Sequence, residues 1–181
     1  MNLSHKKIAI IATDLFEYVE LAEPRAALEK AGAIVQVIAP HDGTIQGVNH
    51  DTKAATVAVD LALATAKPSD YDAVLLPGGA MNADALRVIP EAQAFVKAIE
   101  ADGKPLAVIC HGAWLLIEAG LVEGRRLTSY HTIATDLKNA GADWIDAAVV
   151  NDDNWVSSRQ PDDIPAFNQA MIRRFSGVEP A

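Results

Sequence analysis

The chain has 181 residues, 50% of them hydrophobic, which is enough for one domain with a sizeable core. Lys and Arg number 15 against 24 Asp and Glu, a net charge of −9 with no basic stripe, which argues against nucleic-acid binding. No apolar run suits a membrane helix, "IAIIA" is too short for a secretory signal, and one cysteine excludes an intramolecular disulfide, so a cytoplasmic protein is expected.

Short apolar runs alternate with helical periodicity along the chain. "KIAIIA" (7–12) is a buried-strand run, and "YVELAEPRAALEKAG" (18–32) has helical spacing with Gly32 as a stop. Pro24 is tolerable there only near the first turns. "AIVQVIAP" (33–40) predicts a second strand, and residues 41–60 alternate weakly enough for a small hairpin. "YDAVLLPGG" (71–79) predicts a third strand ending in a Pro-Gly-Gly turn, followed by an amphipathic helix over 90–103. "PLAVIC" (105–110) is a fourth strand and "HGAWLLIEAG" (111–120) a helix. A short strand is expected at 125–130, a helix at 132–141, a hairpin at 147–159 and a last helix at 162–175. Near-continuous apolar strands alternating with helices imply a parallel sheet covered on both faces. Ligands in such sheets bind at the carboxyl ends of the strands, where "LLPGG" and "VIC" both end.

Cys110, the single cysteine, sits at such an end. A lone cysteine after an apolar run is by itself more often a core residue. Here "VICHG" has the strand–nucleophile–helix arrangement of a nucleophile elbow, with Gly112 as the small residue two positions on. A helix N-terminus would lower the thiol pKa and supply N–H groups for an oxyanion. Gly78 and Gly79 could add a second donor, since no Cβ blocks the approach. Ordinary roles remain open for the other candidates. Glu17 and Glu20 suit the exposed first turn of a helix, and His131 suits an exposed loop. His5, His41 and His50 lack partners at ligand spacing, so no metal site is expected, and Trp114, Trp144 and Trp155 read as packing residues.

"AVICHGAWLLIEAGLVEGRRLTSY", with "LLPGG", "FEYVEL" and "NWVSSRQPDD" in order around it, resembles the PfpI family of the class I glutamine amidotransferase-like superfamily. The likeness runs from residue 6 to about 177 and implies a single domain over 1–181. It further implies an α/β fold, a flavodoxin-like three-layer sandwich with a mainly parallel central sheet and a nucleophile elbow. Cys110 would be the nucleophile and His111 its neighbouring histidine, with Glu20 against the sulfur and Glu17 at the pocket rim. A charged carboxylate beside a thiolate is repulsive, whereas a protonated, buried Glu20 would donate a hydrogen bond instead. Protease-type members orient the histidine with an acid from a neighbouring subunit. Asp84 in "PGGAMNADALR" matches that place only with one extra residue allowed, and an acid opening a short helix is the competing reading. Ala113 stands where proline is common.

Three functions follow. One is a stress-response enzyme of glyoxalase or deglycase type, acting on small reactive carbonyls or glycated adducts through a Cys110 thiolate. The second is a PfpI-type cysteine peptidase or amidohydrolase. The third is a redox sensor oxidised at Cys110. Glutamine amidotransfer needs a His-x-Glu pair after the nucleophile, and His131 is followed instead by Thr132 and Ile133. The expected site is Cys110, His111, Glu20 and Asp84, with Glu17, Gly78, Gly79, Gly112 and His131 against substrate. No cofactor is implied; the expected partners are a small-molecule or glycated substrate and copies of the chain itself, as a homodimer or larger oligomer.

Overall fold

Ile8 and Ile10 are fully buried, and so are Ala9 and Ile11 between them, because both faces of their strand are covered. The computed structural model describes residues 1–177; residues 178–181 of the expected single domain lie outside them. Its elements begin with β1 (Lys7–Ile11), β2 (Phe16–Glu17), α1 (Tyr18–Lys30), β3 (Ile34–Ala39), β4 (Thr44–Asn49), β5 (Thr52–Ala58) and β6 (Leu61–Ala62). Next come β7 (Ala73–Leu76), α2 (Ala80–Arg87), α3 (Pro90–Ala101), β8 (Leu106–Ile109), α4 (Ala113–Glu118) and β9 (Arg126–Leu127). The last are α5 (Ala134–Asn139), β10 (Asp143–Trp144), β11 (Val149–Asp152), β12 (Trp155–Ser158) and α6 (Ile164–Phe175).

Seven strands form the central sheet in the order β11-β12-β8-β7-β1-β3-β6. Every pairing is parallel except β11 with β12. Strand alternation sends Ile8, Ile10, Leu75 and Ile109 to one face, where Leu21 and Leu28 of α1 meet Phe167 and Met171 of α6. Ala9, Ile11, Val74, Leu76 and Val108 face the other side, against Phe95 and Ile99 of α3 and Leu115 and Leu116 of α4. The result is the expected three-layer sandwich. The chain adds β3 on one side of β1 and β7 on the other, so the sheet reverses its winding at β1. A crevice at the carboxyl ends is the consequence. No helix of the described residues is long and apolar enough to cross a membrane.

Several local expectations change. The helix expected at 111–120 begins as a 3₁₀ turn over Cys110–Gly112, and α4 proper starts at Ala113. The strand expected at 125–130 shortens to β9, because the chain turns toward the elbow. Thr128 N–H donates to Ser157 Oγ at 3.0 Å and Tyr130 N–H to the Cys110 carbonyl at 3.2 Å. Helix α2 starts at Ala80, so Asp84 lies within it and does not open it. Pro24 sits in the second turn of α1, where its missing N–H leaves the backbone carbonyl of Glu20 without its helical donor. The hairpin expected within 41–60 is present as β4–β5, and the one within 147–159 as β11–β12. Trp155 is buried, and Trp114 and Trp144 pack partly buried against the same core.

Candidate active site

Strand β8 is buried along its whole length, so the chain must turn sharply to leave the sheet. Cys110 makes that turn with a left-handed backbone, φ 61°. For a residue with a Cβ this conformation costs about 1–2 kcal/mol, an outlay that packing around the elbow offsets. Gly112 is required two residues on, since a Cβ there would meet the Leu76 carbonyl oxygen at 2.8 Å. Three of the five described non-glycine residues with positive φ, namely Leu15, His50 and Cys110, line one cavity. Concentrated backbone strain of this kind marks a functional site.

Glu20 of α1 has no exposed surface at all. Its Oε2 accepts the Gly78 N–H at 2.8 Å, while Oε1 has no donor. Burial raises its pKa from 4.5 to about 8, with help from neighbouring Glu17, while the Gly78 N–H and the Cys110 thiol oppose the rise. Near neutral pH Glu20 is therefore protonated, and its O–H is available to the sulfur. The solvated helix acid that its first-turn position also allowed is not what the fold makes of it. Glu17 is nearly buried as well, accepting the His50 N–H at 3.1 Å.

The Pro-Gly-Gly turn brings these groups together. A Cβ on Gly78 would collide with Glu20 Oε2 and lie 2.6 Å from Cys110 Cβ. Gly79 has φ 91° and touches the backbone of Leu15 and Glu17 too closely for a side chain. Asn82, fully buried, ties the turn to the loop after β1. It accepts the Thr13 N–H at 2.7 Å and donates to the Gly78 carbonyl at 3.0 Å. Asn82 lies inside "PGGAMNADALR", and nothing in the sequence signals its role beyond its closeness to the two glycines.

The thiol is not activated as a helix N-terminus alone would suggest. Burial pushes the Cys110 pKa up, and so does Glu20 when ionised; the N–H groups of Gly79 and His111 oppose them without prevailing. His111 Nδ1 lies 3.2 Å from the sulfur. Burial and then neighbouring His131 lower the His111 pKa, so its ring is neutral and able to accept a proton. Its Nε2 faces Thr132 Oγ1 at 3.3 Å. Within one chain Asp84 is exposed on α2 and is not a hydrogen-bond partner of His111. His131 is exposed, with its ring centroid 4.5 Å from that of Tyr130, and it does not line the cavity.

The cavity measures about 370 Å³ and places Cys110, His111, Glu17, Glu20 and Gly79 around one space. The β4–β5 turn supplies a wall through His50 and Asp51, which the sequence did not suggest, and Tyr130 and Met81 complete the sides. Among the described residues, no group of three His, Cys, Asp or Glu side chains could hold a metal ion.

Residues 6–174 match the DJ-1/PfpI family. A deglycase from Thermococcus kodakarensis is 43% identical over 92% of this chain and 98% of its own length. Protein/nucleic acid deglycase 2 of Escherichia coli is 42% identical, over 93% of this chain and 96% of that protein. General stress protein 18 of Bacillus subtilis is 44% identical, over 92% and 96%. A crystal structure of a two-domain protein from Anabaena variabilis, with DJ-1/ThiJ/PfpI-like and ferritin-like domains, superposes with a TM-score of 0.90. It is 33% identical, with 97% of this chain covered and 50% of that one.

Proposed function

The chain belongs to the DJ-1/PfpI family, and we propose that it is a cysteine-dependent deglycase acting on small reactive carbonyls and their early amine adducts. The observation that carries this reading is Glu20: a fully buried carboxyl with one unpartnered oxygen, held beside the only thiol. Relatives named as deglycases over nearly their whole length support it.

The chemistry follows from the proton inventory. Cys110 is a thiol at rest, and neutral His111 takes its proton through Nδ1 as the sulfur attacks the aldehyde carbon. The S–C bond forms, the carbonyl electron pair moves onto oxygen, and Glu20 protonates that oxygen. The Gly79 and His111 N–H groups, already directed at the sulfur, stabilise the developing charge. Glu20, now a carboxylate, removes the hydrogen from this carbon as a proton and returns it to the adjacent carbonyl carbon, while the hydroxyl proton on the first carbon passes to the neighbouring oxygen. Two electrons thereby pass from one carbon to the next, leaving a thioester and an alcohol without any outside oxidant. Water cleaves the thioester to a hydroxy acid and restores the thiol. With an amine adduct the C–N bond breaks as the S–C bond forms; His111 passes the thiol proton to the leaving nitrogen and then takes the Glu20 proton, so that the carboxylate acts as before.

A panel of methylglyoxal, methylglyoxal-modified amino acids and fluorogenic peptides tests the proposal. Turnover is expected on the first two, with none by Cys110→Ala. Cleavage of peptides alone would replace it with the peptidase reading. We also propose that the chain self-associates with α2 at the interface, where Asp84 would reach the partner's site. Light scattering is expected to give a dimer or larger species at micromolar concentration, and Asp84→Arg should shift it toward monomer. A purely monomeric wild type would remove the intersubunit role.

A further inference from the structure

Among the described residues, the buried carboxyl of Glu17 has only His50 as a cationic candidate. Its side chain is 10% exposed, and the nearest candidate, His50 Nδ1, stands 3.9 Å away on a ring that is 84% exposed. The His50 N–H satisfies only part of its acceptor capacity of about four sites. A buried carboxyl with acceptor capacity to spare favours a cationic donor from outside the chain. Glu20 Oε1, buried in the same cavity without a hydrogen-bond partner among the described residues, brings no positive charge to satisfy Glu17. Asp51 adds a third acid at the mouth, and among the described residues no Lys or Arg lines the cavity. Arg159, two residues from Pro161 in the cavity wall, is held by Asp146 and Asp163. The chain's net charge of −9 adds to the same field.

We infer that Glu17 and Asp51 are charge-selecting residues: the cavity takes adducts whose carrier keeps a positive charge, ammonium or guanidinium, beside the reacting carbon. Carriers with a carboxylate or phosphate at that position are rejected. As a statement about substrate this rests on the deglycase reading, whereas the charge selection belongs to the cavity itself.

Because Cys110 is the only cysteine, alkylation reports the cavity directly. Wild type, Glu17→Gln and Asp51→Asn are treated with 2-bromoethylammonium, iodoacetamide and iodoacetate. Each rate, followed by mass spectrometry, is divided by that of N-acetylcysteine amide under the same conditions. The cation is expected to outpace the anion by roughly tenfold or more in wild type, within the range of electrostatic focusing in clefts. That ratio should shrink at least threefold in each variant. Asp51 is exposed, so its variant leaves folding aside and keeps the test decisive. A wild-type ratio near one, or ratios unchanged in both variants, would overturn the inference. In parallel, release of the hydroxy acid is measured from methylglyoxal adducts on lysine amide and on N-acetylaspartyl-lysine. Selective alkylation with no release from either adduct defeats the deglycase reading and leaves charge selection standing. Equal release from both carriers defeats charge selection and leaves the deglycase reading standing.

Discussion

Glu20→Gln is expected to lower carbonyl turnover by about 10²–10⁴-fold, the usual loss when a positioned acid–base group can no longer move a proton. The same change should make the protein more stable than wild type in alkaline solution. Glu20 titrates at 4.5 unperturbed and at about 8 in the fold, with burial as the main cause. Between those values the folded chain holds a proton that the unfolded chain has released. Its stability therefore falls as pH rises through that window, and is unaffected by this group below it. At about 1.4 kcal/mol per unit the full loss is several kcal/mol. Gln keeps an oxygen for the Gly78 N–H, which now bonds Oε2 at 2.8 Å, and a donor for the sulfur, but does not titrate. Denaturant unfolding at pH 5 and pH 9 should show a steep decline in wild type and a shallower one in the variant. Parallel declines would mean that Glu20 is not protonated in the fold. In wild type, turnover should also decline above pH 8, as ionised Glu20 repels the forming thiolate.

The parts of this molecule that were legible in its sequence are those fixed by burial pattern. β1, β7 and β8 are continuous apolar runs, and such runs have few alternatives to a strand covered on both faces. The elbow was legible because a buried strand ending in Cys-His-Gly has to turn there. β2, β9 and β10, two residues each, left no periodicity to read and exist through pairing alone. Asn82 was hidden for a different reason. Its value lies in bonds to Thr13 and Gly78, one of them 69 positions away, and nothing local announces them. The β4–β5 turn was read as a hairpin, but that it folds over the thiol is a matter of packing. The thiol pKa is not set by the helix terminus, whose dipoles are only one of the influences at Cys110. Desolvation and the Glu20 charge, both consequences of tertiary structure, outweigh them at Cys110.

Gly78→Ala should disable the site while leaving the sheet intact, with activity down at least about 10²-fold and a stability cost of about 1–3 kcal/mol for overpacking. The glycine is not needed for a left-handed backbone, since its φ is not among the positive ones. What forbids a side chain is space. The added Cβ would overlap Glu20 Oε2 and come within 2.6 Å of Cys110 Cβ and 3.1 Å of its sulfur. None of these can yield freely: Glu20 is buried, and Cys110 is held at φ 61° by the elbow. Relief must come by moving the Pro-Gly-Gly turn, which breaks the Gly78–Glu20 bond and separates the acid from the thiol. A misplacement of about 1 Å is enough to cost two orders of magnitude in rate. Gly103→Ala is the control, because Gly103 has φ 63° but nothing within 4 Å of a new Cβ. It should cost about 1 kcal/mol through backbone strain and leave turnover unchanged. Equal kinetics for the two variants would show that the close approach at Gly78 is not what holds the acid against the sulfur.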